Sequence, residues 1–257
     1  MHCFSFDIET VPDTEFGRRN WDFEGLSDAD VGTAMTFMRQ QKTGSEFLAL
    51  HMHRIVAISV AFRSRDGFRV WSLGDRDSGE AEIIQRFFDG IEKYTPELVS
   101  WNGSGFDLPV LHYRALRHGV QAPRYWETGD DDRDFRYNNY LGRFHWRHID
   151  LMDVLAAFQM RGRAPLDEIA VMLGFPGKLG MSGGKVWESW LDGGIDDIRN
   201  YCETDVLNTY LVYLRFEFMR GRLDQARLDR EYELVRTTLR DMGQPHLDEF
   251  LDAWQQR

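Results

Sequence analysis

The first ten residues, Met1-His2-Cys3-Phe4-Ser5-Phe6-Asp7-Ile8-Glu9-Thr10, limit this chain more than any other stretch. His2, Phe4, Phe6 and Ile8 alternate with Cys3, Ser5, Asp7 and Glu9, the period-two pattern of a strand with one apolar face. Asp7 and Glu9 lie two apart and therefore point the same way. Neighbouring carboxylates repel unless water, a paired cation or a metal ion stands between them. A solvated strand end and a divalent-metal site both meet that condition. Pro12 is expected to stop the strand two residues past Thr10, which places the pair at the mouth of a sheet and not in its middle.

The remaining chain alternates strand and helix signals. Residues 54–62 are rich in β-branched side chains, and Arg65-Asp66-Gly67 turns into a second strand over 68–73, so those two strands are antiparallel. Ile83, Ile84, Phe87, Phe88 and Ile91 have helical spacing within 78–94. A short strand over 98–101 runs into the breaker run Asn102-Gly103-Ser104-Gly105, followed by a helix from about Phe106 to Gly119. Residues 145–149 read as a last strand, with Asp150 capping a helix that carries Leu151, Val154, Leu155 and Phe158. Further helices are expected from Leu166 to Gly174, Ile195 to Met219, Leu223 to Met242 and Leu247 to Trp254. The pattern predicts a mixed α/β sheet. Residues 13–53, with a helix start at Ser27, have no assigned role, and residues 124–147 read as either a substrate-gripping loop or a solvated excursion.

Composition removes several function classes. With 31 basic and 42 acidic residues the net charge is -11, which argues against coating duplex nucleic acid through bulk positive charge. Cys3 and Cys202 are the two cysteines; they cannot build a disulfide framework and fit no zinc spacing. No signal segment or long apolar stretch is visible, so a cytoplasmic chain without a membrane partner is expected.

Two further stretches carry chemistry. Asp107 opens a helix after the glycine-rich run, where an acid is also favoured simply by the helix dipole. Tyr201 and Asp205 share one helix face, which taken alone is an ordinary surface pair. Taken in order, Phe-Asp-Ile-Glu-Thr at 6–10, Asn-x-x-x-Phe-Asp at 102–107 and Tyr-x-x-x-Asp at 201–205 resemble the three motifs of the DEDD (DnaQ-like) 3′-5′ exonucleases, in the subgroup with tyrosine in the third motif. His148-Ile149-Asp150-Leu151-Met152-Asp153 and the run 201–210 make the chain similar to predicted exonucleases related to the proofreading domain of family B DNA polymerases.

The resemblance implies an RNase H-like fold, with a mixed five-stranded sheet whose second strand is antiparallel to the others, flanked by helices. It implies a single exonuclease domain over 1–257, with a core to about residue 220 and a helical extension over 221–257. It also implies that Asp7 bridges two divalent ions, that Glu9 and Asp205 complete one, that Asp107 holds the other, and that Tyr201 orients the attacking water. Oxygen ligands suit Mg²⁺ or Mn²⁺, two ions per site. A free tyrosine titrates near pH 10, so Tyr201 is expected to position a water and not to act as base.

The implied substrate is the 3′ end of single-stranded nucleic acid, DNA before RNA, with a polymerase or repair partner as the setting. Thr10, Val11, Asn102, Phe106 and Lys185 are the candidate substrate contacts, Phe106 by stacking and Val11 as a wedge or backbone donor. Lys178, Arg161 and Arg163 are alternative phosphate contacts. His145 and His148 read as structural, and Cys202 and Glu203 receive no role. The rival readings are a noncatalytic binding module on the same fold and a nuclease that cuts internally.

Overall fold

A computed structural model describes residues 2–256; Met1 and Arg257, at the two ends of the expected domain, lie outside the described residues. The sheet is built around the first strand. β1 (Cys3–Pro12) is followed by α1 (Thr14–Trp21), α2 (Asp28–Thr43), β2 (His53–Arg63), β3 (Phe68–Ser72), α3 (Glu80–Tyr94) and β4 (Glu97–Ser100). Then come α4 (Asp107–His118), α5 (Pro123–Trp126), β5 (His148–Asp150), α6 (Leu151–Leu155), α7 (Leu166–Met172) and α8 (Val186–Leu191). Three helices end the described chain: α9 (Ile195–Met219), α10 (Gln225–Met242) and α11 (Pro245–Gln255).

The strand order is β3-β2-β1-β4-β5. β2 runs antiparallel to both its neighbours, and β1, β4 and β5 are mutually parallel. This is the mixed five-stranded α/β sheet, with its second strand reversed, of an RNase H-like fold.

β1 departs from the expected one-sided strand. Phe4, Phe6 and Ile8 face a core formed with Ile83, Phe87 and Ile91 of α3 and Leu108 and Leu111 of α4. The opposite face is covered too: Cys3 packs with Val206, Leu207 and Tyr210 of α9, and Ser5 is fully buried. A central strand with helices on both faces buries its small polar residues along with its large apolar ones. The strand ends at Pro12, two residues past Thr10, as the sequence indicates, but the carboxylate pair is not left outside its pairing. Pairing with β2 continues to Pro12 opposite His53, through a register shift between Glu9 and Thr10. The carboxylate pair is thus inside the β1–β2 ladder, while the parallel ladder to β4 ends at Ser5. Asp7 and Glu9 therefore project past the ends of β4 and β5.

Helix α9 is covered on nearly every side from Tyr201 to Leu214, as expected of a helix lying between layers. The sheet takes one side, and α7, α8, α10 and α11 cover others. Leu228, Val235, Leu239, Phe250 and Trp254 share one core with Val99 and Ile149 of the sheet, so the C-terminal helices are packed into the molecule's main core.

The stretch 124–147 is not a solvated excursion. Tyr125, Phe135 and Tyr140 are buried, the guanidinium groups of Arg124 and Arg147 sit 4.3 and 3.9 Å from the Phe135 ring centre, and the Tyr140 hydroxyl donates to the Pro96 carbonyl at 2.7 Å. Its aromatic residues, interleaved with charged ones in the sequence, divide between buried Tyr140 and exposed Tyr137. Residues 13–53 form α1, capped by Asp13, and α2, capped by Ser27 as the sequence indicates. Gly32 of α2 lies so close to Trp187 of α8 that a Cβ there would meet the indole at 2.7 Å.

A buried ion network locks the end of β1 in place. Arg114 of α4 donates to Glu80 through Nε at 2.7 Å and through a second nitrogen at 2.5 Å, and pairs with Asp13 just past β1. Glu80 also accepts the Ile55 amide of β2 at 2.7 Å. All three side chains are almost wholly out of solvent. Removing one member leaves an uncompensated buried charge, so Arg114→Leu is expected to lower unfolding free energy by about 3–5 kcal/mol. Urea denaturation should show a reduced midpoint with an unchanged slope; a loss below about 1 kcal/mol, the scale of an exposed pair, would contradict this.

Candidate active site

Three distant parts of the chain meet beyond the ends of β4 and β5. β1 supplies Asp7 and Glu9. The loop after β4 supplies Asp107, the first residue of α4 and only 3% exposed. That loop is held by Asp150, whose carboxylate accepts the amides of Asn102 at 3.0 Å, Ser104 at 2.9 Å and Asp153 at 3.3 Å. Asp150 caps α6 and also fixes the loop, so its role extends beyond capping. Asn102 adopts a left-handed backbone, φ 63°, which asparagine tolerates better than most residues. Helix α9 supplies Tyr201, Cys202 and Asp205 from its buried first half.

Burial and mutual repulsion act together on these acids. Asp7 is held well above the ordinary carboxylate range, first by burial and then by the charges of Asp107, Glu9 and Asp205. Glu9 is raised in the same way by burial, Asp205 and Asp107, with Lys178 opposing. Asp107 is raised to about 7, chiefly by burial, against backbone hydrogen bonds from its own amide and that of Ile8. Asp205 is raised to about 6, again chiefly by burial, with Tyr201 and Lys178 pulling it down. The Tyr201 phenol is pushed upward by burial and by Asp205, Glu9 and Asp7. It remains protonated at neutral pH and donates toward Asp205, one turn along the helix.

This arrangement fits a divalent cation. Glu9 is 8% exposed, yet its carboxylate receives no hydrogen bond from any described residue. A buried acid in that condition needs a counter-charge. Ligand atoms of Asp7, Glu9 and Cys202 all lie within 4.8 Å of one another. Asp107 and Asp205 supply further oxygens whose charges reach the same place. A predominantly oxygen donor set suits Mg²⁺ or Mn²⁺.

Other candidates are placed less centrally. The Thr10 hydroxyl is engaged with His53 Nδ1 at 2.9 Å. Val11 is 2% exposed and packs with Ile198 and Tyr201, so its side chain faces the core and is not free to act as a wedge. Phe106 is half-buried and lies 5.7 Å from Phe47 and 5.2 Å from His53, between ring centres. Lys185 is exposed at the start of α8, and its charge is not among those acting on the carboxylates. Lys178 is the lysine that acts on Glu9 and Asp205. His148 is buried and bonded to Ser100 Oγ at 2.8 Å, and His145 accepts the Asn139 amide at 3.0 Å.

Two residues left without a role have definite contacts. The Cys202 thiol lies 3.4 Å from the Asp7 carbonyl oxygen and 3.6 Å from its carboxylate. Glu203 accepts the Ser72 amide and hydroxyl, both at 2.8 Å, and lies 2.8 Å from His246 of α11. Neither was legible from a motif, because helix phase assigns a face but not what covers it.

A pH effect follows from the raised acids. Without metal, the folded protein holds the protons of Asp107 and Asp205 more tightly than the unfolded chain, so burial of these groups costs stability progressively as pH rises from about 4 to about 7. A bound divalent ion removes that cost. The Tm gain from saturating Mn²⁺ is therefore expected to be small near pH 4 and to grow up to pH 7. A gain independent of pH would contradict the placement of these acids around the ion.

Comparison with known proteins bears on the same chain. Over 161 residues, 62% of this chain, the sequence is 27% identical to a DNA polymerase of Archaeoglobus fulgidus, covering 19% of that protein. Over 182 residues, 65% of this chain, it is 25% identical to a DNA polymerase of Pyrococcus glycovorans, covering 23% of that protein. A 38-residue stretch is 50% identical to DNA polymerase 1 of Sulfurisphaera ohwakuensis, 4% of that protein's length. The chain thus spans about a fifth of the length of the first two relatives. Residues 45–254 match a family described as predicted 3′-5′ exonucleases related to the exonuclease domain of PolB, a span that contains Asp107, Tyr201 and Asp205 and begins after β1. The chain belongs to that family of predicted 3′-5′ exonucleases.

Proposed function

We propose that the chain is a metal-dependent exonuclease that hydrolyses phosphodiester bonds from the 3′ end of single-stranded nucleic acid. The observation that carries this reading is the convergence of half-buried Asp7 with buried Glu9, Asp107 and Asp205, each raised in pKa, around a place with little opposing charge. A fold that only bound nucleic acid would have no chemical reason to gather four repelling acids, and acids repel the phosphates it must bind. DNA is favoured over RNA because the relatives that this chain resembles are DNA polymerases. As the chain matches only a fraction of their length, proofreading beside a polymerase partner and free-standing trimming are both settings for the same chemistry.

Bound Mg²⁺ or Mn²⁺ supplies an acidified water as nucleophile and a counter-charge for the departing 3′-oxygen. In this reading Asp7, Glu9, Asp107 and Asp205 would hold the ions, with Asp7 central to the set and Glu9, Asp205 and Asp107 completing it. Tyr201, kept protonated by its surroundings, orients the water through its hydroxyl. Lys178 offsets the negative charge of Glu9 and Asp205 and faces incoming phosphate.

Incubation with 5′-labelled single-stranded DNA or RNA and Mn²⁺ tests the reading. Stepwise shortening from the 3′ end is expected, abolished by EDTA. Asp7→Ala should lower the rate by on the order of 10³-fold or more, and Tyr201→Phe by about 10²-fold with Mn²⁺ affinity retained. Lys178→Met should cost roughly tenfold, the scale of one charge-assisted contact, and more than Lys185→Met. Internal fragments, or shortening that survives Asp7→Ala, would overturn the proposal.

A further inference from the structure

A cleft of about 570 Å³ opens beside the carboxylate cluster and is not explained by it. Ser104 and Gly105, in the loop between Asn102 and Asp107, form one wall; Arg143, Phe158 and Arg163 form the other. The cleft is joined to the site through Asp150, which lines it, holds the Asn102 and Ser104 amides, and adds its charge to Asp107.

Its far wall has an unusual composition for a chain of net charge -11. Arg143 and Arg163 share a single carboxylate, Asp153, at 3.3 and 2.5 Å. Two guanidinium groups on one acid leave a positive charge uncompensated there, and the buried Nε of Arg163 has no hydrogen-bond partner. The second acid of the cleft, Asp150, directs its oxygens at backbone amides. The Arg143 guanidinium lies 5.1 Å from the Phe158 ring centre, with its side chain half exposed. Phe144 meets Phe158 edge to face at 4.8 Å and is 71% exposed. Ala157 and Phe158 both hold left-handed backbone, φ 49° and 59°. That conformation is costly for side chains of this kind, and it sets the ring against Arg143.

Exposed aromatic faces beside fixed cations are the pattern that grips single strands without reading sequence: bases stack while phosphates meet guanidinium. We propose that this cleft holds the single-stranded segment upstream of the terminal nucleotide, with Arg143 and Arg163 of its lining meeting backbone phosphates and Phe144, which lies outside the lining against Phe158, stacking on a base. Phe158 is the positioning residue that anchors both Phe144 and Arg143. The assignment rests on the exonuclease reading and adds where the strand leaves the carboxylates: along α4 and the wall of 143–163.

Binding can be read without hydrolysis, so the two readings fail separately. Fluorescence anisotropy in EDTA, at low salt, compares a labelled 12-mer with a labelled dinucleotide, in DNA and RNA forms. The ratio of 12-mer to dinucleotide affinity is expected to fall about tenfold in Phe144→Ala, in line with the loss of one stacked base. In Arg143→Gln the ratio should fall similarly, and the dependence of log affinity on log salt should flatten by about 0.7, the value for one phosphate contact on a single strand. Arg227→Gln, at an exposed pair on α10, is the control and should leave the ratio as in wild type. Phe144 and Arg143 are both substantially exposed, and near-wild-type circular dichroism and Tm will establish that each variant is folded. An affinity ratio within about twofold of wild type in both cleft variants would overturn the proposal, whether or not the protein cleaves nucleic acid. Absence of cleavage together with a reduced ratio would support the cleft and count against the exonuclease reading alone.

Discussion

Repulsion among four crowded carboxylates, three of them buried and Asp7 half-buried, governs how this molecule is built. Glu9, Asp107 and Asp205 each raise the proton affinity of Asp7, and Asp107 and Asp205 raise that of Glu9; a chain left to relax would move them apart. They are held together by elements that cannot easily shift. β1 is the centre of the sheet, flanked by β2 and β4 and covered on both faces. α9 is enclosed over most of its length. The loop before α4 is tied by Asp150 to the end of β5. Such preorganisation is what a metal-dependent site needs, because ion binding then supplies charge neutralisation without rearranging the fold.

The outer end of β1 is secured by a second set of charges, arranged for the opposite purpose. Arg114 stands between Glu80 and Asp13, so these acids are matched within the protein. Asp13 is lowered in pKa on balance, with burial opposed by the Phe16 amide and Arg114. The contrast between the two clusters is informative. One acid cluster carries its own ion-paired cation and is structural; the other has Lys178 opposing two of its four acids, with no ion pair among the described residues, and is the candidate active site. The distinction lies in the pairing, since both clusters are buried.

Much of this was legible in the sequence because the signals were local. The β2–β3 hairpin, the helix caps at Ser27 and Asp150, and the boundaries of α9 follow from turn residues, capping chemistry and periodicity. The three motifs, far apart in sequence, converge in space as their order implied. What could not be read depended on coverage. The alternation in β1 gave the direction of each side chain but not the second layer of helices, so Cys3 and Ser5 appeared solvent-facing. In 124–147 aromatic and charged residues interleave without a period, so the sequence does not say that Tyr125, Phe135 and Tyr140 are buried while Tyr137 is exposed. Lys185 and Lys178 are chemically equivalent in the sequence; only the path of the loop brings Lys178 near Glu9 and Asp205. Cys202 is adjacent to a motif residue by number, and its contact with Asp7 is set by how α9 crosses the sheet.

The central claim is that these four carboxylates form one divalent-metal site, and direct counting of bound ions tests it. Titration of Mn²⁺ followed by electron paramagnetic resonance of the free ion gives stoichiometry independently of any substrate. The account predicts about two ions per chain, with binding lost in Asp7→Ala and weakened in Asp205→Asn while both variants remain folded. Failure of the wild-type protein to bind Mn²⁺, or undiminished binding in Asp7→Ala, would contradict it.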